Sequence, residues 1–300
     1  MLNVNCQMLR SLLSIWLFLS LGATAPAMAV PKKTVTPLSS LEVAIIPENK
    51  NKSLPLVEAQ AALVMDVESG LILYQKNPNS PRPMASLTKI MTAILILENH
   101  RSGEVVTVQD DFTQYPELGV RLWLHQYEKI TIDDLLIGLL VPSAGDAALA
   151  LAQYHSGSSE KFVDEMNAKA ATLGLKNTHF LNPIGLDEQG HFSSAFDLAI
   201  LTRYALKFPE FRRIILLTEA TVTSTDGKIK HEFKSTDELL GSYLNIRGVK
   251  TGTTDEAGQS VINLARNPRG HEILSVVLGS SNRFQESKQL IDWSFRNFLW

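Results

Sequence analysis

The stretch PMASLTKIMTAILILENH, residues 83–100, constrains the fold more than any other part of this chain. Its apolar residues Leu87, Ile90, Met91, Ile94, Leu95 and Leu97 form no single stripe. They cover most of the circumference of a helix running from Ser86 to about Glu98. A helix that is apolar on nearly every side has to be enclosed by other elements. With 300 residues and 45% apolar content, the chain carries enough material to enclose it. Lys89, near the start of this buried run, then needs a reason, because an unpaired ammonium is strongly disfavoured there. It follows Ser86 by three residues, on the same helical face, so its amine can reach the Ser86 hydroxyl.

The rest of the sequence supplies the enclosure. Ala61 to Val67 and Gly70 to Gln75 are β-type runs around Glu68-Ser69-Gly70, which predicts a hairpin. The middle is helical: Thr131 is an N-cap ahead of Asp133, Asp134 and the run Leu135 to Val141, and Asp146 to Tyr154 follows. Glu160 to Leu173 is closed by Gly174, Ser194 to Leu206 continues the pattern, and Pro209 opens another segment. Strand signals return at Ala220 to Thr225 and Lys228 to Phe233 around Asp226-Gly227, then at Gly258 to Arg266 and Glu272 to Leu278 around Asn267-Pro268-Arg269-Gly270. Arg283 to Leu299 predicts a last helix. Strands at both ends and helices between predict an α+β domain whose antiparallel sheet collects both chain ends around a helical middle.

The N-terminus stands apart. Arg10, the apolar run Leu12 to Ala23 and the small-residue stretch ending Ala27-Met28-Ala29 fit a secretory signal peptide over residues 1–29. An uncleaved anchor is the alternative. Residues 30–55, rich in Pro, Lys, Ser and Asn, predict a flexible lead-in, and 56–300 the folded domain. Cys6 is the only cysteine and lies in the signal segment, so the expected mature chain has no cysteine nucleophile, disulfide or cysteine metal ligand. The seven histidines are scattered without ligand spacing, so neither metal nor other cofactor is expected. Arg10 is the only charge in residues 1–29, so 27 basic and 31 acidic residues remain afterwards. A net charge of −4 gives no hint of nucleic-acid binding.

A serine attacks a carbonyl only when a base takes its proton. Lys89 can do so if it is neutral, which requires burial or a second nearby cation. The pair alone is weak, since Ser158 and Lys161 repeat the spacing in HSGSSEKF, where the serine is better read as a helix N-cap. The two sites differ in what accompanies them. Ser143 lies downstream in VPSAGDAA, and Lys250-Thr251-Gly252 in IRGVKTGTTDEAGQS, giving Ser-x-x-Lys, a central serine and Lys-Thr-Gly in the order of the penicillin-binding protein and class A β-lactamase signature.

On these motifs, and on AALVMDVESGLILYQKN, LGLKNTHFLNPIGLDEQGHFSSAFDLA, GVKTGTTDEAG and SKQLIDWSFRNF, the chain resembles the serine-type D-alanyl-D-alanine carboxypeptidases of the low-molecular-mass penicillin-binding protein family. The resemblance implies a β-lactamase/transpeptidase-like fold and a cofactor-independent DD-peptidase of the periplasm or extracytoplasmic envelope. It implies peptidoglycan stem peptides as substrates and β-lactams as inhibitors. Many such members carry a C-terminal anchor after the last helix; here the sequence stops at Trp300, and no strong membrane anchor is expected after signal cleavage. In its terms Ser86 is the nucleophile, Lys89 its base and Ser143 a proton relay. Lys250 supplies a cation, Thr251 and Thr253 donate hydrogen bonds, and Gly252 leaves the strand open to a substrate peptide.

One departure stands out: the family's second motif reads Ser-x-Asn, and here Gly145 follows Ser143-Ala144. Two alternatives stay open: a β-lactamase would use Asp187 or Glu188 for deacylation, and a weakly or non-catalytic muropeptide sensor would follow from Gly145. A Ser-His-Asp triad would need His191 or His179, but no G-x-S-x-G elbow surrounds Ser86, and both histidines are read as structural.

Overall fold

A computed structural model describes residues 53–300; the expected signal segment, Cys6 and most of the lead-in lie outside the described residues. Along the chain, β1 (Ala61–Asp66) and β2 (Ile72–Lys76) precede helix α1 (Lys89–Asn99) and the short strands β3 (Val105–Thr107) and β4 (Lys129–Thr131). Five helices follow: α2 (Ile132–Leu140), α3 (Gly145–Ser156), α4 (Ser159–Thr172), α5 (Ala195–Ala205) and α6 (Pro209–Ile214). The chain then forms β5 (Glu219–Thr223), β6 (Lys230–Lys234), β7 (Ile246–Thr254), β8 (Gly258–Arg266), β9 (Glu272–Ser280) and α7 (Arg283–Asn297).

The main sheet has the order β2-β1-β9-β8-β7, every neighbour antiparallel, so the strands from the two ends of the domain meet at β1 and β9. This is the expected α+β arrangement. β1 is buried along its whole length because both of its faces are covered. Side chains alternate across a strand, so Ala61, Leu63 and Met65 enter the core shared with the helices, while Ala62 and Val64 enter the one shared with Leu290, Ile291 and Trp293 of α7.

α1 occupies the centre of the helical core and is buried from Lys89 through Ile96, with α2, α3, α4 and α5 around it. The capping expectations hold in detail. Thr131 Oγ1 accepts from Asp134 N at 3.1 Å, and Ser158 Oγ accepts from Lys161 N at 3.3 Å, which makes the second Ser-x-x-Lys a helix cap.

Three differences matter for the site. The helix predicted from Ser86 becomes α-helical only at Lys89, because residues 85–88 form a tighter 3₁₀ turn. Lys250-Thr251-Gly252 lies in the middle of β7, the first of the C-terminal strands, whose extent the sequence leaves undrawn. The small β3–β4 ladder went unpredicted, since three-residue strands carry no readable periodicity.

Candidate active site

The Ser86 turn is built by close backbone approach. Ala85 has φ of +48°, a left-handed conformation that a non-glycine residue holds only when its surroundings enforce it. Two glycines provide the enforcement. A Cβ at Gly252 would lie 3.0 Å from Ala85 Cβ and 3.1 Å from Ser86 N, and one at Gly185 would collide with the Ala85 carbonyl. Gly252 is therefore small first of all because β7 passes directly against the turn; room for a substrate along the strand comes from β7 being the edge of the sheet.

His191 holds the turn from beneath. Its Nδ1 accepts from Leu181 N at 3.0 Å, so its proton is on Nε2, which donates to Thr88 Oγ1 at 2.8 Å; that hydroxyl in turn donates to Ala85 O. Burial pushes the His191 pKa down to about 4, which fits a neutral ring. With both nitrogens engaged, His191 cannot serve Ser86 as a base. His179 is occupied at the Gly190 carbonyl, 2.8 Å away.

Lys89 Nζ lies 3.0 Å from Ser86 Oγ and donates to Ile184 O at 2.7 Å. It is only 1% exposed, and burial brings its pKa down to about 7, opposed by the charge of Asp146. Near neutral pH a large fraction of this amine therefore has a free lone pair. Lys250 is equally enclosed, and burial, then the charges of Lys89 and Arg283, push it well below the ordinary lysine value. Of the two routes to a neutral Lys89, burial is the one that acts on it.

Around these groups, Lys250 Nζ donates to Thr251 O at 3.1 Å, and Thr251 Oγ1 shares a hydrogen bond with Thr236 Oγ1 at 2.6 Å. Asp237 faces Lys250 and Arg283 electrostatically; burial raises its pKa to about 6, and it accepts from Asn263 Nδ2 and Leu239 N. Ser143 is 8% exposed, has φ of +72°, and its buried Oγ has no hydrogen-bond partner among the described residues. Any relay through Ser143 must be completed by an incoming group.

Ser86, Lys89, Ser143, Thr251, Gly252 and Thr253 line one cleft, so these predicted residues meet there, with Lys250 buried behind the β7 wall. Sequence reasoning missed Arg283, which lines the same cleft and donates to Gly252 O at 2.9 Å and to Thr253 Oγ1. A signal existed: Arg283 is the first residue of α7, where the helix dipole disfavours a cation. It also missed the wall formed by Glu117, Leu118, Gly119 and Val120. Asp187 and Glu188, the nominated deacylation carboxylates, do not line the cleft. Asp187 accepts from Thr254 Oγ1 at 2.6 Å and from Glu256 N, and Glu188 faces Asn182.

Comparison with known proteins identifies the family. The family model for D-alanyl-D-alanine carboxypeptidases matches residues 48–282. D-alanyl-D-alanine carboxypeptidase DacF of Bacillus subtilis is 35% identical over 247 residues, which are 80% of this chain and 63% of that protein. The first few such relatives are longer, and this chain spans just under two thirds of their length. The D-alanyl-D-alanine carboxypeptidase of Streptomyces sp. strain K15 is 33% identical over 80% of this chain and 88% of its own. Among solved structures, the Streptomyces K15 DD-transpeptidase superposes with a TM-score of 0.76 at 30% identity, covering 82% of this chain and all of the other. Penicillin binding protein 6B from Escherichia coli gives 0.76 at 32%, covering 83% and 80%. A match to the family over most of the described residues, in sequence and in fold, assigns this chain to the D-alanyl-D-alanine carboxypeptidase family.

Proposed function

We propose that this chain is an extracytoplasmic serine DD-peptidase that removes the terminal D-alanine from peptidoglycan stem peptides, or cleaves a D-Ala cross-link, through an acyl-enzyme on Ser86. The observation that carries the reading is a fully buried lysine amine placed 3.0 Å from a serine hydroxyl in an open cleft, where burial brings its pKa down to about 7. The names of the relatives support it. The short lysine-to-serine distance and the lysine's depressed pKa are what a serine nucleophile requires of its base.

In this reading neutral Lys89 takes the Ser86 proton while still donating to the Ile184 carbonyl. The serine oxygen bonds to the carbonyl carbon of the penultimate D-alanine, and the resulting oxyanion is met by the backbone N–H groups of Ser86 and Thr253. Collapse breaks the peptide C–N bond. The leaving amine takes the proton from Lys89 through Ser143, whose hydroxyl has no hydrogen-bond partner among the described residues and so is free to carry it. Water then attacks the ester with Lys89 again as base, releasing the shortened peptide and restoring Ser86. Lys250, buried behind the β7 wall, donates to the Thr251 carbonyl and so supports the strand that faces the substrate.

The terminal carboxylate would be held by Arg283 with Thr251 and Thr253, a set that favours a free C-terminus and hence carboxypeptidase action. A β-lactam would acylate the same serine, its broken amide staying attached as the blocked leaving group. The test is labelling of wild type and Ser86→Ala with fluorescent penicillin, beside D-alanine release from a peptide ending in D-Ala-D-Ala. Rapid nitrocefin turnover without D-alanine release would make the chain a β-lactamase instead.

A further inference from the structure

Gly145, the departure from the second motif, does not leave a hole. A Cβ at Gly145 would lie 2.5 Å from Leu118 O and 3.1 Å from Leu118 Cβ, and Gly145 N donates to Val120 O at 2.8 Å. The space that a side chain would use is filled by Leu118, part of a strap of residues 117–124 that runs against the start of α3. A second glycine is emptied for the same segment: a Cβ at Gly138, on α2, would collide with the Leu122 side chain, which is buried there.

The strap is also held at its backbone polar groups by buried charge. Asp146, with no exposed surface, accepts from Leu122 N at 3.0 Å and Leu124 N at 3.1 Å. On the other side, His231 of β6 donates through Nδ1 to Leu122 O at 2.7 Å and through Nε2 to Glu128 Oε1 at 2.8 Å. Both ring nitrogens face acceptors only, so the ring carries two protons and a positive charge. Glu128 and Asp146 supply the opposite charge around it, and Glu128 also accepts from His125 N. Leu122 thus has its N–H, its carbonyl and its side chain each gripped by a different element.

Four residues of this strap, Glu117, Leu118, Gly119 and Val120, line the same cleft as Thr251–Thr254 and Arg283. An extended peptide laid along the free edge of β7 would have the strap on its other flank. Building on the peptidase reading above, we propose that the 117–124 strap takes the place of the side chain absent at Gly145 as the second wall for the substrate, and that Asp146 and the His231–Glu128 pair are its positioning residues. It follows that an asparagine at 145 displaces the strap and does not restore a missing contact.

The test uses three proteins: wild type, Gly145→Ala and His231→Gln, the last keeping a donor toward Glu128 while losing the one to Leu122 O. Steady-state D-alanine release from a diacyl tripeptide ending in D-Ala-D-Ala gives KM and kcat, and circular dichroism gives the folded fraction. Without the strap, alanine at the first position of α3 would be neutral or stabilising. With it, both variants stay folded and raise KM about 10-fold while kcat changes less than about 3-fold, and trypsin cuts more readily after Arg121. Wild-type KM in a folded Gly145→Ala protein, or wild-type KM in His231→Gln despite a loosened Arg121 site, would overturn the proposal. If His231→Gln fails to fold, Gly145→Ala decides alone. A wild type that neither reacts with penicillin nor releases D-alanine would instead remove the peptidase reading, and this proposal with it.

Discussion

Lys89→Met separates what this lysine does for chemistry from what it does to the fold. In the folded chain its pKa falls from 10.5 to about 7, with burial the main cause. In the unfolded chain it binds a proton up to about pH 10.4. Between those values the unfolded state holds more protons, so stability rises as pH rises. The wild-type protein therefore carries a penalty of about 4 kcal/mol at pH 7, falling to about 2 kcal/mol at pH 9 and vanishing above the unfolded value. Methionine has similar length and no charge to desolvate, so the variant escapes that penalty. It leaves the Ile184 carbonyl and the Ser86 hydroxyl without the amine, at a pH-independent cost of about 1–3 kcal/mol. Removing Lys89 also removes one of the charges that push Lys250 down, so the burden of charging Lys250 eases in the variant and adds to the difference in the same direction.

The expected result is a catalytically crippled variant that is more stable than wild type by about 1–3 kcal/mol at pH 7, with the advantage shrinking by about 2 kcal/mol by pH 9. Urea unfolding of both proteins from pH 6 to pH 10 measures this. In parallel, wild-type acylation by a fluorescent penicillin should climb with pH through about 7 as Lys89 loses its proton, and the variant should be slower by about 100-fold or more. A stability difference that does not change with pH would mean that Lys89 keeps its ordinary pKa, and the base assignment would fall.

Arg283→Gln should raise KM about 10-fold for a peptide with a free C-terminal carboxylate and hardly change it for the same peptide amidated, as steady-state kinetics would show. Gly252→Ala brings a methyl within 3.0 Å of Ala85 Cβ and 3.1 Å of Ser86 N; penicillin acylation should slow by about 100-fold with most of the thermal stability kept. Ser158→Ala removes the cap of α4 and should lower stability by about 1 kcal/mol in chemical denaturation, with penicillin labelling unchanged.

Elements with a strong period were legible in the sequence. α1, the central helices and the long strands β8 and β9 stand close to their expected places, because burial on one or both faces writes a period of 3.6 or 2 into the residues. The clustering of Ser86, Lys89, Ser143 and the Lys-Thr-Gly strand was legible through motif order, not through local pattern. What escaped was set by contacts distant in sequence. Arg283 reaches the cleft because α7 starts beside the end of β7; the cation at the first position of α7 is a local signal of a partner, but not of which one. The 117–124 strap has no periodicity, being held by side chains from Asp146 and His231 and seated on two glycines. Gly145 looked like a missing group because sequence shows what a residue lacks and not what fills the space.

The most direct measurement is the site of covalent attachment. The protein is incubated with penicillin, its intact mass is compared with that of Ser86→Ala, and the modified peptide is sequenced by tandem mass spectrometry. The account predicts one penicillin per chain, carried as an ester on Ser86, no adduct in Ser86→Ala, and a normal adduct in Ser158→Ala. An adduct that persists in Ser86→Ala, or that maps to Ser158 or Ser143, would contradict it.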